Sequence, residues 1–280
     1  MPQFVKIILI VLAVLILGYL WLIKPRMSRK RDWEKFGGRL IAHRGLHDNN
    51  GPAPENSMAA FRKAVASGYG IELDVQLTRD RIPVVFHDFT LERMTGQPGK
   101  VCDYTYEELS AFTLARSEEK IPLFEEFLQM VAGRVPLIIE YKIEAMDVGV
   151  CPIADRMLRE YEGPYCIESF NPMGLSWYRR FHNDVLRGQL ADTFIRNKEF
   201  KGPLYFGLQN LLLNFIGRPD FIAYNHEHRN VLSRWICCKV FGAKSVAWTV
   251  KSQKDLDDIE KDFQIFIFDS FVPRKKKAIK

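Results

Sequence analysis

Cysteine is scarce, with 5 in 280 residues, and none falls at a spacing that builds a thiolate metal site. Adjacent Cys237 and Cys238 suit buried thiols in a reducing compartment. A basic surface is missing where a nucleic-acid binder needs one. The net charge is +6, yet residues 24–35 carry about +4 and residues 274–280 about +5, which leaves the remainder near −3. Nucleic acid is therefore excluded as the expected partner; the cluster after residue 23 suits anionic lipid headgroups, and the tail reads as a solvated end. A small-x-small cleavage site is absent before that basic cluster, which favours a retained anchor over a removed signal peptide for the apolar residues 4–23. That run approaches the ~20 residues needed to cross a bilayer. Lys24, Arg26, Arg29, Lys30 and Arg31 follow at once, so the positive-inside rule predicts a single-pass protein with its N-terminus outside and its main domain cytoplasmic.

What the chain does have is a dense set of ionisable groups in a short stretch. Between Ile41 and Asp88 stand His43-Arg44-Gly45, Pro54-Glu55-Asn56-Ser57, Glu72-Leu73-Asp74 and His87-Asp88. Buried carboxylates and histidines cost several kcal/mol unless a metal, a partner charge or a substrate compensates them, so the clustering marks a site. Strand alternation gives it geometry. In residues 70–75, Glu72 and Asp74 share one face and Ile71, Leu73 and Val75 the other. Residues 76–87 read as a hairpin; a turn centred between Asp80 and Arg81 would set Asp74 opposite His87. His43 ends a short apolar strand, and Glu140 and Lys142 share a face at the end of another.

Carboxylates grouped without cysteine or histidine at ligand spacing favour one hard divalent cation, Mg²⁺ or Ca²⁺. An ion held by Glu72, Asp74 and Glu140, with Arg44 and Lys142 nearby, suits an anionic oxygen ligand such as phosphate. The two histidines can then exchange protons with a nucleophile and a leaving group.

These residues resemble the glycerophosphodiester phosphodiesterase family. The matching text is His43-Arg44-Gly45, Ala53-Pro54-Glu55-Asn56-Ser57, Glu72-Leu73-Asp74-Val75, Thr78-Arg79-Asp80 and Pro83-Val84-Val85-Phe86-His87-Asp88. It continues with Leu91 and Arg93, Glu140-Tyr141-Lys142, Ser169-Phe170 and Ala247-Trp248-Thr249-Val250. The resemblance implies hydrolysis of a glycerophosphodiester to sn-glycerol 3-phosphate and an alcohol, with His43 and His87 as the acid/base pair and a divalent ion on the phosphate. Arg44 and Lys142 would contact or neutralise phosphate oxygens, and Glu55 would orient a catalytic group or the glycerol. Trp248 is expected either to stack on the substrate or to pack the core. The family commonly closes on a Thr-Asp-x-Pro element, whereas this chain reads Phe268-Asp269-Ser270-Phe271-Val272-Pro273, a departure that weakens any role for the last loop and leaves the metal and histidine set untouched.

The rest of the chain alternates apolar runs with helix-like stretches. The runs at 40–42, 70–75, 137–141, 165–169, 185–190, 221–224, 245–250 and 265–268 predict eight strands. Helices are expected at 57–67, with Asn56 as N-cap, and at 123–131, 153–161, 173–181, 204–216, 230–241 and 253–261. That count predicts a (β/α)8 TIM barrel over 39–273, with a basic juxtamembrane linker at 24–38 and a possible cap at 89–120. The 204–216 stretch reads as a barrel helix in preference to one dipping into the membrane. His226 and His228 read as incidental. Two other activities fit the same residues: release of a headgroup from lysolipids, and a catalytically inactive phosphate-ligand-binding barrel.

Overall fold

The computed structural model describes residues 2–27, 31–36, 40–195 and 201–274, with the side chains of residues 31 and 32 left out. Residues 28–30 and 37–39 of the expected basic linker, residues 196–200 and the tail beyond residue 274 therefore lie outside the described residues. The chain opens on α1 (Gln3–Ile23), one helix apolar and long enough to cross a membrane, with a mean hydropathy of 2.7. Its length and composition suit a membrane span or a signal sequence.

Eight parallel strands follow: β1 (Leu40–His43), β2 (Gly70–Leu77), β4 (Leu137–Tyr141), β5 (Tyr165–Ser169), β6 (Arg187–Ala191), β7 (Phe221–Asn225), β8 (Lys244–Val250) and β9 (Ile265–Phe268). Because β1 pairs with both β2 and β9, the sheet closes on itself into the expected barrel. The short β3 (Pro83–Val85) runs antiparallel on β2. Its register pairs Val75 with Val85 and Leu77 with Pro83, so the turn centres on Asp80 and not between Asp80 and Arg81. The Thr78 hydroxyl causes the half-residue difference. It accepts from the Ile82 N–H and donates to Asp80, closing a five-residue loop with Arg81 at a φ of 64°. Asp74 thus faces Phe86 in the ladder, and His87 lies just past it.

Alternation sorts each strand between two cores. Ile71, Leu73 and Val75 point outward onto Phe61, Phe124 and Phe127 of the surrounding helices. Ile41, Ile138, Cys166, Phe221, Val246 and Ile267 fill the barrel interior, and Trp33 and Phe36 of the segment before β1 plug its N-terminal end. Trp33 meets Phe221 edge-on at 5.1 Å, and the Phe221 ring occupies the space a Cβ on Gly188 would need, only 2.0 Å away. With both faces buried, the strands are near-continuous apolar runs, which is why they were legible as runs.

The helices are α2 (Met58–Ala66), α3 (Glu92–Thr95), α4 (Tyr106–Ser110), α5 (Phe124–Val131), α6 (Val150–Leu158), α7 (Pro172–Phe181), α8 (Pro203–Gln209), α9 (Asn214–Gly217), α10 (Leu232–Trp235) and α11 (Gln253–Ile259). The N-cap of α2 is Ser57, whose hydroxyl accepts from Ala60 N at 3.1 Å, and not Asn56. The single helix expected at 204–216 is two, because Leu211 takes a φ of 57° and turns into the core. Between residues 89 and 120, α3 and α4 wrap a small core of Leu91, Met94, Val101 and Leu109 against Val84 and Phe86.

The end of α1 and the first residues of the expected linker at 24–38 pack on the barrel. Ile23 is fully buried among Leu211, Ile222 and Cys237, and Arg26 N donates to Pro219 O at 2.9 Å.

Candidate active site

The site forms where strand ends deliver polar groups above the apolar plug. Glu72 and Asp74 (β2) and Glu140 (β4) face inward, and each can offer an oxygen lying within 4.8 Å of the other two. All three are buried. Asp74 Oδ2 accepts from the Asn56 amide at 2.9 Å, whereas Oδ1 accepts no hydrogen bond. An orphaned buried carboxylate oxygen inside an all-oxygen set fits a hard divalent cation. The ligating trio expected from the sequence is thus brought together.

Glu168 on β5, beside Glu140 in the register, is a fourth inward carboxylate, 1% exposed, with Oε2 unpartnered. Sequence reasoning missed it, although the alternation that turns Cys166 inward does the same for Glu168. Burial and mutual repulsion push Glu72 and Glu168 well above the ordinary carboxylate range. Glu140 is raised too, by burial, with Lys142 opposing. Burial also acts to raise Asp74, but His87, Lys142, Arg44 and the Asn56 amide outweigh it and hold it low.

Two cations lean on this set. Lys142 Nζ is 2.8 Å from Glu140 Oε1 and 3.7 Å from Asp74 Oδ1. Arg44 sits at a φ of 55°, which lets its backbone N–H donate to Glu72 Oε2 at 3.1 Å while its guanidinium reaches Glu55 at 2.6 Å and Asp74 at 3.6 Å. Gly45 follows at a φ of 84°, where a Cβ would meet Ala60 at 2.9 Å. Glu55 is consumed by this network: it accepts from Arg44, from both terminal nitrogens of Arg93 and from Asn49. Burial would raise its carboxyl, but Arg93, Arg44 and Asn49 bring it down to about 2. It orients Arg44, so of its two expected roles the geometry favours the first.

Each histidine stands on an aspartate. His43 Nδ1 lies 3.3 Å from Asp269 Oδ2, and His43 Nε2 lies 3.9 Å from Glu72. Burial, then the Arg44 charge, lowers His43 to about 4 against the opposing pull of Asp269. His87 Nδ1 lies 2.6 Å from Asp88 Oδ1, and Asp88 is gripped by Arg93. Gln76 fixes the segment after β3 by donating to the carbonyls of Phe86 and Asp88, both at 2.8 Å. A carboxylate can only accept, so both Nδ1 atoms carry the proton and both Nε2 atoms are left for chemistry.

The last loop reaches the site even though its sequence departs from the family's closing element. Asp269 leaves β9 with one oxygen on His43 and the other 3.1 Å from His47 Nε2. Trp248 faces the barrel interior edge-on to Phe170 at 5.5 Å, with Nε1 unpartnered. His226 and His228 bond Thr249 O and Asp192 instead, and neither joins a cluster of ligating atoms among the described residues.

The family model for the glycerophosphoryl diester phosphodiesterase family matches residues 43–163, which span His43 through Lys142. Putative glycerophosphodiester phosphodiesterase YhdW of Bacillus subtilis is 31% identical over 245 residues, covering 81% of this chain and 96% of its own. A glycerophosphodiester phosphodiesterase of Caldanaerobacter subterraneus is 29% identical over 231 residues, covering 78% of this chain and 88% of its own. Among solved structures, an Oleispira antarctica phosphodiesterase in complex with the product sn-glycerol-3-phosphate superposes with a TM-score of 0.69 at 22% identity, over 84% of this chain and 94% of that one. With YhdW aligned along nearly its whole length, the chain belongs to the glycerophosphoryl diester phosphodiesterase family.

Proposed function

We propose that the chain hydrolyses a glycerophosphodiester to sn-glycerol 3-phosphate and an alcohol, using His43 and His87 as the acid/base pair at a divalent-ion site. The observation that carries this reading is the triad of oxygens from Glu72, Asp74 and Glu140, flanked by two histidine–aspartate pairs and two cations. Glu72, Asp74 and Glu140 would hold the ion, Mg²⁺ or Ca²⁺. When bound, it supplies Lewis-acid polarisation of the phosphate.

Arg44 and Lys142 bind the anionic phosphate oxygens. One histidine takes the proton of the glycerol 2-hydroxyl as the new O–P bond forms, and the other protonates the alcohol as its bond to phosphorus breaks. The roles then reverse: a water gives up its proton, attacks the cyclic phosphate, and the 2-hydroxyl leaves reprotonated. Asp269 and Asp88 keep each Nδ1–H in place so that Nε2 does this work at both stages.

A specific observation favours lysolipids as a second substrate class. From Trp248 a chain of edge-on rings runs through Phe170 and Phe194 to Tyr205, with centroid separations of 5.5, 5.7 and 6.0 Å. It ends on α8 beside the exposed Leu204 and Phe206, an apolar track that a headgroup alone does not need. A substrate panel decides between them: glycerophosphocholine and glycerophosphoethanolamine against lysophosphatidylcholine in micelles, with product phosphate esters identified by phosphorus-31 NMR. Turnover of the soluble diesters supports the main reading. Turnover of the micellar substrate alone transfers it to lysolipids, and turnover of neither leaves an inactive ligand-binding barrel.

A further inference from the structure

The anchor helix is fused to the barrel on the side of β6 and β7. The Ile23 carbonyl accepts from Asn214 Nδ2 at 2.9 Å and from Cys237 Sγ at 3.2 Å. Arg218 donates to the carbonyls of Trp21 and Lys24, and the Trp21 ring stacks on Phe215 at 5.3 Å. Tyr19 and Leu20 pack in the same cluster. N-terminal to Gly18 the helix leaves the protein, with Ile10, Val14, Leu15 and Leu17 all more than 60% exposed. Aromatic and basic residues thus collect at the exit point, the composition that settles at the headgroup level of a bilayer.

The barrel is apolar on its outer surface at this same place. Leu232 and Trp235 are 64% and 53% exposed, and their chain neighbours Val231 and Ile236 belong to the cluster that holds Tyr19 and Leu20. Leu204 and Phe206 of α8, 58% and 54% exposed, lead into Leu211 and Leu212 of that cluster. Both helices follow the C-terminal ends of β6 and β7, so these residues lie on the rim of the mouth that holds the site. Other exposed apolar side chains outside α1, such as Met146, Phe181 and Val272, lie on other elements. Apolar surface gathered beside a membrane helix has an occupant at hand.

We propose that the α8–α10 rim is a second membrane contact, bedded in the headgroup and upper acyl layer of the bilayer that α1 spans. The inference rests on the reading of α1 as a membrane span. A rigid anchor together with an apolar rim holds the mouth of the barrel at the leaflet surface, where diesters derived from lipids are released. The same rim excludes water on one side of the mouth only; the α5 flank, across the barrel, carries exposed Glu125 and Glu126.

Nitroxide labels on the full chain in vesicles of phosphatidylcholine and phosphatidylglycerol test this. Labels are placed one at a time through Leu12→Cys, Phe206→Cys, Leu232→Cys and Glu125→Cys, each in a Cys102→Ser background. Collision rates with lipid-soluble oxygen and with a water-soluble nickel chelate are then compared. The expected result is a label at 206 and at 232 whose nickel accessibility is severalfold below that at 125, with oxygen favoured. Nickel accessibility at 206 and 232 equal to that at 125, while position 12 is lipid-exposed, overturns the rim contact and leaves the anchor standing. Nickel access at position 12 overturns the span and the rim contact together. Dipolar broadening between copies at 206 or 232 that survives dilution with unlabelled lipid means a second copy of the chain covers the rim, and also overturns the proposal.

Discussion

Asp269 Oδ2 lies 3.3 Å from His43 Nδ1 while its other oxygen lies 3.1 Å from His47 Nε2, so one carboxylate at the end of β9 serves two histidines at the start of the barrel. Burial would raise Asp269, and the two histidines pull it far below the ordinary range instead. An amide in its place can present N–H to His43 Nδ1 and reverse the tautomer. Asp269→Asn is therefore expected to lower kcat by about 10²–10⁴-fold with KM nearly unchanged, by analogy with other oriented histidines. Steady-state kinetics on glycerophosphocholine checks it; a variant with wild-type kcat removes Asp269 from the mechanism.

The inward carboxylates outnumber the cations that face them, and three of the four are raised by burial. A divalent ion should therefore stabilise the fold strongly, by about 2.7 kcal/mol at a concentration 100 times its Kd. Thermal unfolding of the full chain with and without Mg²⁺ or Ca²⁺ measures this directly. Glu72→Gln, which removes one of the three converging negative charges and can turn an amide N–H₂ toward the ion, should lose most of the shift.

Opposite signs govern the pH dependence of the metal-free protein. His43 falls to about 4 from an ordinary value of 6.5, so the stability it contributes above pH 6.5 is lost as pH drops toward 4, by up to about 3 kcal/mol. The raised carboxylates contribute stability that is present below 4.5 and lost as pH rises through their elevated values. Denaturant melts of wild type and His43→Gln between pH 4 and 8 separate the two. The variant should lack the acid-side loss and retain the alkaline-side one, and added divalent ion should flatten the latter.

Ile23 makes the end of α1 part of the fold. Its burial among Leu211, Ile222 and Cys237 predicts that Ile23→Ala costs about 2–5 kcal/mol. A fragment beginning at Tyr19 should melt well above one beginning at Arg29, which lacks Ile23 and the Arg26 contacts. Equal melting temperatures would mean that the docking seen here contributes nothing to stability.

Much of the barrel could be read before any coordinates because parallel strands covered on both faces are apolar throughout, and because alternation is strict. The parity of Glu72 with Asp74 and of Glu140 with Lys142 needed only that rule. Short-range chemistry hid the remainder. Ser57 competes with Asn56 for the cap and wins, which frees the Asn56 amide for Asp74. The Thr78 hydroxyl moves the hairpin centre by half a residue. Asp269 depends on which strands become neighbours after closure, and no local pattern carries that: β9 meets β1 across the seam of the barrel. The docking of Ile23 was illegible for a related reason, since a membrane-type run offers no signal that its last turn belongs to a soluble core.

The most direct test of the account is release of sn-glycerol 3-phosphate from glycerophosphocholine by the detergent-solubilised full chain. It is measured before chelation, after exhaustive chelation and after return of Mg²⁺ or Ca²⁺, beside a His43→Ala His87→Ala double variant. The account predicts release that is abolished by chelation, restored by the ion, and absent in the double variant. Full activity after chelation, or in the double variant, contradicts it.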